Sequence, residues 1–89
     1  NRGYFYESWN QDKFNKKISS KNFFQDNHSH SFNGVLRGIH YQLNPFAQGK
    51  LIRCTKGRIF DVAVDLRKDS ATYKEWVGIE LNETNKFLL

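Results

Sequence analysis

The chain has 89 residues, 14 Lys+Arg against 9 Asp+Glu for a formal net charge of +5 at pH 7, and 16% aromatic residues. This aromatic load excludes an intrinsically disordered chain, and no run approaches the ~20 apolar residues of a membrane-spanning helix. A single cysteine, Cys54, excludes an intramolecular disulfide framework and fits a reducing compartment such as the cytoplasm.

Residues 2–9 (RGYFYESW) alternate and are rich in aromatics, which predicts a strand. Residues 10–20 predict a short helix and a turn, with Phe14 and Ile18 four apart as the apolar stripe. Lys13, Lys16, Lys17 and Lys21 surround that stripe. They read as a solvated helix face; a nucleic-acid surface is the alternative that the positive charge allows. Residues 22–31 begin with strand formers and turn polar. Asn33-Gly34 signals a turn, residues 35–41 predict a short strand, and Asn44-Pro45 marks a loop.

The pattern is clearest beyond Gly49. Residues 50–55 predict a strand, Lys56-Gly57 a tight turn, and residues 58–66 a strand with strict alternation. In the latter, Phe60, Val62, Val64 and Leu66 share one face, and Ile59, Asp61, Ala63 and Asp65 the other. Residues 70–72 form a loop, 75–81 a further strand, and 82–85 a turn into 86–89. Short strands parted by turn signals, with little helix, predict an all-β antiparallel sandwich or barrel. Two carboxylates on one face of an apolar strand either meet water or line a cavity, where they must be paired or serve a ligand.

Two segments could carry chemistry. His28 and His30 are two apart and would share a strand face, a spacing that suits metal ligands. The residues that follow, Phe32-Asn33-Gly34-Val35, contain no carboxylate to complete such a set, so no metal is expected. Arg37 and His40 flank Gly38. On a regular strand they point to opposite faces, and a glycine bulge would aim both at one ligand. A histidine in this position is either a base or a satisfied structural residue.

Five runs in order carry a resemblance: residues 2–10 (RGYFYESWN), 24–29 (FQDNHS), 34–42 (GVLRGIHYQ), 48–53 (QGKLIR) and 60–67 (FDVAVDLR). Together they resemble the dTDP-4-dehydrorhamnose 3,5-epimerase family along essentially the whole chain. The resemblance implies an antiparallel jelly-roll (cupin-like) barrel, with residues 1–89 forming the N-terminal portion of a single incomplete domain. It implies a dTDP-sugar substrate, no metal or other cofactor, and a homodimer that exchanges its N-terminal strand. Neither a nucleic-acid partner nor a membrane is expected, and the setting is cytoplasmic dTDP-rhamnose biosynthesis for surface polysaccharide.

The reaction so implied inverts C3 and C5 of a 4-keto-6-deoxy sugar nucleotide. Both carbons lie α to the C4 ketone, so the chemistry needs a base, a positive or hydrogen-bonding group at the enolate oxygen, and an acid opposite the base. Motif by motif, His40 matches the base and Lys50 the lysine at the sugar. Arg37 matches an arginine placed to take the diphosphate with its planar fork. Arg2, Phe5, Glu7, Gln25, Asp26 and Asn27 match further nucleotide-sugar contacts, with Arg2, Phe5 and Glu7 reaching the partner's site. Asp61 is expected to support Lys50 or Arg37, or to form a structural salt bridge.

The family's acid tyrosine, a further histidine and the aspartate that pairs with the base would fall beyond residue 89. The tyrosines at 4, 6, 41 and 73 belong to other motifs. The 89-residue chain is therefore expected to be a fragment, inactive and prone to unfold or aggregate. The alternatives are a related dTDP-sugar 3- or 5-epimerase or ketoisomerase, and a catalytically dead nucleotide-sugar-binding cupin module.

Overall fold

Asn10 starts the helix α1, Gln11–Lys17, by breaking into extended backbone and accepting the Lys13 N–H on its side-chain oxygen at 3.0 Å. That bond satisfies one of the orphan amides of the first turn. Asp12 in the first turn and Lys16 and Lys17 in the last complement the helix dipole. The helix ends at Ile18, whose N–H returns to the Phe14 carbonyl. Phe14 packs edge-on against Phe23, with ring centroids 5.5 Å apart, and both rings meet Trp9 at 5.0 and 5.4 Å. Such pairs add about 0.5–1.5 kcal/mol each beyond the area they bury. The expected helix is therefore formed, and Phe14 of its expected stripe packs on aromatic residues from both flanks, whereas Ile18 lies at the C-cap and is exposed.

The computed structural model describes residues 1–85 and divides after Gly49 into two units. The first unit holds α1 and irregular chain. Turns close at Asn33-Gly34, where the Val35 N–H reaches the Phe32 carbonyl, and around Asn44-Pro45, where Phe46 reaches Leu43.

The second unit is built on an antiparallel hairpin of β1, Arg58–Val64, and β2, Trp76–Asn82. Its register pairs Arg58 with Asn82, Asp61 with Ile79 and Val64 with Trp76. One face carries Phe60, Val62 and Val64 beside Trp76, Gly78 and Glu80. The other carries Ile59, Asp61 and Ala63 beside Val77, Ile79 and Leu81. The buried apolar residues, Leu81 and Cys54, both belong to this unit, whereas Phe60 and Trp76 are 68% and 62% exposed. Burial thus centres on Leu81, while Val77 and Ile59 on the same face and Phe60 and Trp76 on the other remain exposed.

The strands expected over 2–9, 35–41 and 50–55 are not formed; in the last, Arg53 makes an isolated bridge. A strand is a paired state, and alternation of apolar side chains prepares a segment for a ladder without supplying the neighbour. The strand expected over 58–66 stops at Val64, and that expected over 75–81 runs from Trp76 to Asn82. The turn expected over 82–85 is present, tied by the Asn85 and Thr84 N–H groups to the Asn82 side-chain oxygen. Residues 86–89 lie outside the described residues.

Candidate active site

The N-terminal segment delivers its expected contact residues on irregular, exposed chain. Phe5 is fully exposed, and Arg2 and Glu7 are exposed as well. Glu7 is nonetheless oriented. One carboxylate oxygen accepts from Lys13 Nζ at 2.8 Å and the other from Asn10 Nδ2 at 3.1 Å. The Lys13 bond first, and that from Asn10 second, hold the Glu7 carboxyl below its ordinary value. Sequence spacing alone does not connect Glu7 with Lys13, which lie six residues apart on either side of the helix cap.

Gln25, Asp26 and Asn27 are exposed on irregular chain, where Gln25 Nε2 donates to Asn27 Oδ1 at 3.2 Å. Two positions apart on one run, these amides hold each other rather than a regular ladder. Arg37 Nε donates to Ser31 Oγ at 2.8 Å, which fixes the inner end of the guanidinium. The remaining donors of an arginine fork can then face a ligand.

Gly38 takes φ +109°, and the peptide from Gly38 to Ile39 is cis. A Cβ at Gly38 would stand 3.7 Å from the His40 backbone nitrogen and 4.0 Å from its Nδ1, both ordinary contacts. The requirement for glycine here is therefore the positive φ and not a lack of space. Because residues 35–41 form no strand, Arg37 and His40 stand on irregular chain and no bulge relates them. His40 itself is exposed, as is His28, and the His30 ring lies 5.2 Å from that of Phe32. Among the described residues there is no group of three or more His, Cys, Asp or Glu side chains able to hold a metal ion.

Lys50 and Asp61 belong to the second unit. Lys50 is exposed. Asp61 sits mid-strand on β1 opposite Ile79 and is half-buried, and its Oδ2 is buried without a hydrogen-bond partner. A carboxylate oxygen removed from water and left unpaired carries a desolvation cost that a donor would relieve. Asp61 is thus the residue on the hairpin whose chemistry is unfinished.

Asp65, on the same strand face in the sequence reading, has a different fate. Its Oδ1 accepts the Arg67 N–H and Nε, both at 2.9 Å. Its Oδ2 accepts from Arg67 Nη2 at 2.8 Å and from the Ser70 and Thr72 hydroxyls, both at 2.6 Å. The Arg67 guanidinium first, then the two hydroxyls, hold this carboxyl far below the ordinary range. The backbone joins in, with Asp65 N–H donating to Glu75 and Lys74 N–H donating to Asp65. Asp65 therefore staples the turn between β1 and β2. The signal was present as Asp65-Leu66-Arg67 followed by Ser70 and Thr72, but spacing does not reveal that one carboxylate gathers them all.

A family model described as dTDP-4-dehydrorhamnose 3,5-epimerase matches residues 1–89. The chain belongs to this family. It is 58% identical over 86 residues to the dTDP-4-dehydrorhamnose 3,5-epimerase of Shigella flexneri, covering 96% of this chain and 48% of that protein. Among solved structures, it is similar to the family's enzyme from Bacillus anthracis, crystallised with TDP and PPi bound. That likeness has a TM-score of 0.92 at 45% identity, over 98% of this chain and 50% of the other. The family's enzyme from Elizabethkingia anophelis gives a TM-score of 0.87 at 48% identity, over 99% and 49%. The chain spans about half the length of the family relatives it matches.

Proposed function

We propose that the chain serves a dTDP-4-dehydrorhamnose 3,5-epimerase as the N-terminal portion of its jelly-roll domain, acting in the cytoplasm on dTDP-4-keto-6-deoxyglucose. The observation that carries this reading is the family match along residues 1–89. The nucleotide and pyrophosphate bound by the Bacillus anthracis relative support a nucleotide-diphosphate ligand here as well.

In this reading the His40 imidazole works as the base. It takes the proton from the carbon α to the C4 ketone. The electron pair of that C–H bond moves into the C–C bond, and the carbonyl oxygen becomes an enolate. The Lys50 ammonium stabilises the negative oxygen as it forms, which is where a fixed charge accelerates the step. An acid on the opposite face then returns a proton to carbon, inverting the centre; in this family that acid is expected beyond the residues matched here. Repetition at the second α carbon completes the reaction without any redox change, so no cofactor is invoked.

The contact residues divide by chemistry. Arg37, already steadied by Ser31, and Arg2 offer guanidinium forks to the diphosphate. Phe5 offers a ring face, and Glu7, Gln25, Asp26 and Asn27 offer acceptors and amide donors to the nucleoside. Asp61, with one oxygen awaiting a donor, suits a supporting place beside a cation such as Lys50. Arg2, Phe5 and Glu7 act across a homodimer by exchange of the N-terminal strand, which agrees with the exposure of that segment.

Two measurements on the protein at its native full length test this reading. Calorimetric titration with dTDP should show saturable binding. Incubation with the 4-keto sugar nucleotide in deuterated solvent should wash deuterium into C3 and C5. Absence of both dTDP binding and exchange would sink the reading.

A further inference from the structure

Both oxygens of Glu7 are engaged from the start of α1, by Lys13 Nζ at 2.8 Å and by Asn10 Nδ2 at 3.1 Å. Asn10 closes the ring by accepting the Lys13 N–H at 3.0 Å, so the two donors are themselves held in register by the helix cap. We infer that Lys13 is a positioning residue for nucleotide recognition, acting through Glu7 by fixing its carboxylate and offsetting its charge.

The inference rests on the proposed contact between Glu7 and the nucleotide and extends it. A carboxylate offers about four lone-pair sites and donates nothing. Two are taken by Lys13 and Asn10, which leaves acceptor capacity on both oxygens. The hydrogen-bond donors of a dTDP moiety are the thymine N3–H and the deoxyribose hydroxyl, so these are the groups Glu7 can take. A free carboxylate near a diphosphate would repel it, whereas one paired with an ammonium presents nearly neutral charge while keeping its lone pairs. The pair is exposed, with side-chain exposures of 68% for Lys13 and 49% for Glu7. Surface pairs of this kind contribute little to folding. The value of Lys13 would therefore appear in ligand affinity and not in stability, and that difference can be measured.

The experiment is calorimetric titration of the protein at its native full length, and of its variants, with dTDP, with thermal unfolding followed in parallel. Lys13→Met should weaken dTDP binding by roughly three- to tenfold, the range for directly coupled neighbours. Lys13→Arg should restore it, and unfolding temperatures should stay together. In a Glu7→Gln background, which lowers affinity by itself, Lys13→Met should cost nothing further. An equal loss from Lys13→Met in both backgrounds would overturn the inference, as would no loss beside a weakened Glu7→Gln. If Glu7→Gln binds dTDP as the parent does, the contact assigned to Glu7 is wrong and the role of Lys13 falls with it. The single and double variants thus separate failure of the inference from failure of the reading beneath it.

Discussion

The Phe60 ring lies across Gly78 on the neighbouring strand, where a Cβ would stand 2.5 Å from ring Cζ and 3.0 Å from Cε1. The register sets Val62 opposite Gly78, so Phe60 reaches its glycine along the diagonal. Trp76 closes in from the other side, with its Cζ3 3.1 Å from the same imagined Cβ. A glycine in a strand interior is ordinarily a weakness, and an aromatic ring laid over it recovers contact on the pleated face.

This relationship yields a stability prediction. Phe60→Ala should destabilise the hairpin by about 0.5–1 kcal/mol, the worth of a cross-strand aromatic pair. In a Gly78→Ala background the ring is already displaced, and the same change should cost clearly less. Amide hydrogen exchange along β1 and β2 reads the effect. Equal losses in both backgrounds would show that Phe60 stabilises through something other than Gly78.

A pH prediction follows from Asp65. Its folded-state pKa is depressed by Arg67, Ser70 and Thr72. Stability from this group is fully present above the ordinary unfolded value of about 4 and is lost as pH falls below it toward the folded value. Thermal unfolding between pH 6 and pH 2 should therefore show an acid-side decline that Asp65→Asn largely removes, while lowering stability at pH 6. Glu7, also depressed, contributes in the same direction and more weakly because its partners are solvated. An unchanged acid limb in Asp65→Asn would place the pH dependence elsewhere.

The proposed chemistry separates His40 from Lys50. His40→Ala should abolish deuterium incorporation at the sugar while leaving dTDP affinity within about twofold, because a base touches the transferring proton and not the nucleotide. Lys50→Ala should slow exchange by roughly 10²–10³-fold, the loss typical of one group at a developing oxyanion. Mass spectrometry of recovered sugar nucleotide measures both. Exchange that survives in His40→Ala would remove the imidazole from the reaction.

Some of this protein was determined by its sequence without help from the fold. The short helix within residues 10–20 and the turn at Asn33-Gly34 depend on contacts within a few residues, and both appear in the structure. The alternation of residues 58–66 is local as well, although its pairing as β1 is not. The five motifs that carried the family resemblance are equally local, which is why they could be read directly. Only the tertiary structure decided which alternating segments became strands, because a ladder requires a neighbour that alternation cannot name. It also decided the separate fates of two carboxylates on one face. Asp65 was drawn into the turn by donors from Arg67 to Thr72, whereas Asp61 was left mid-strand with an oxygen shielded from water. Side-chain partnership is set by distance through space, and chain spacing constrains that distance only where the backbone path is already known.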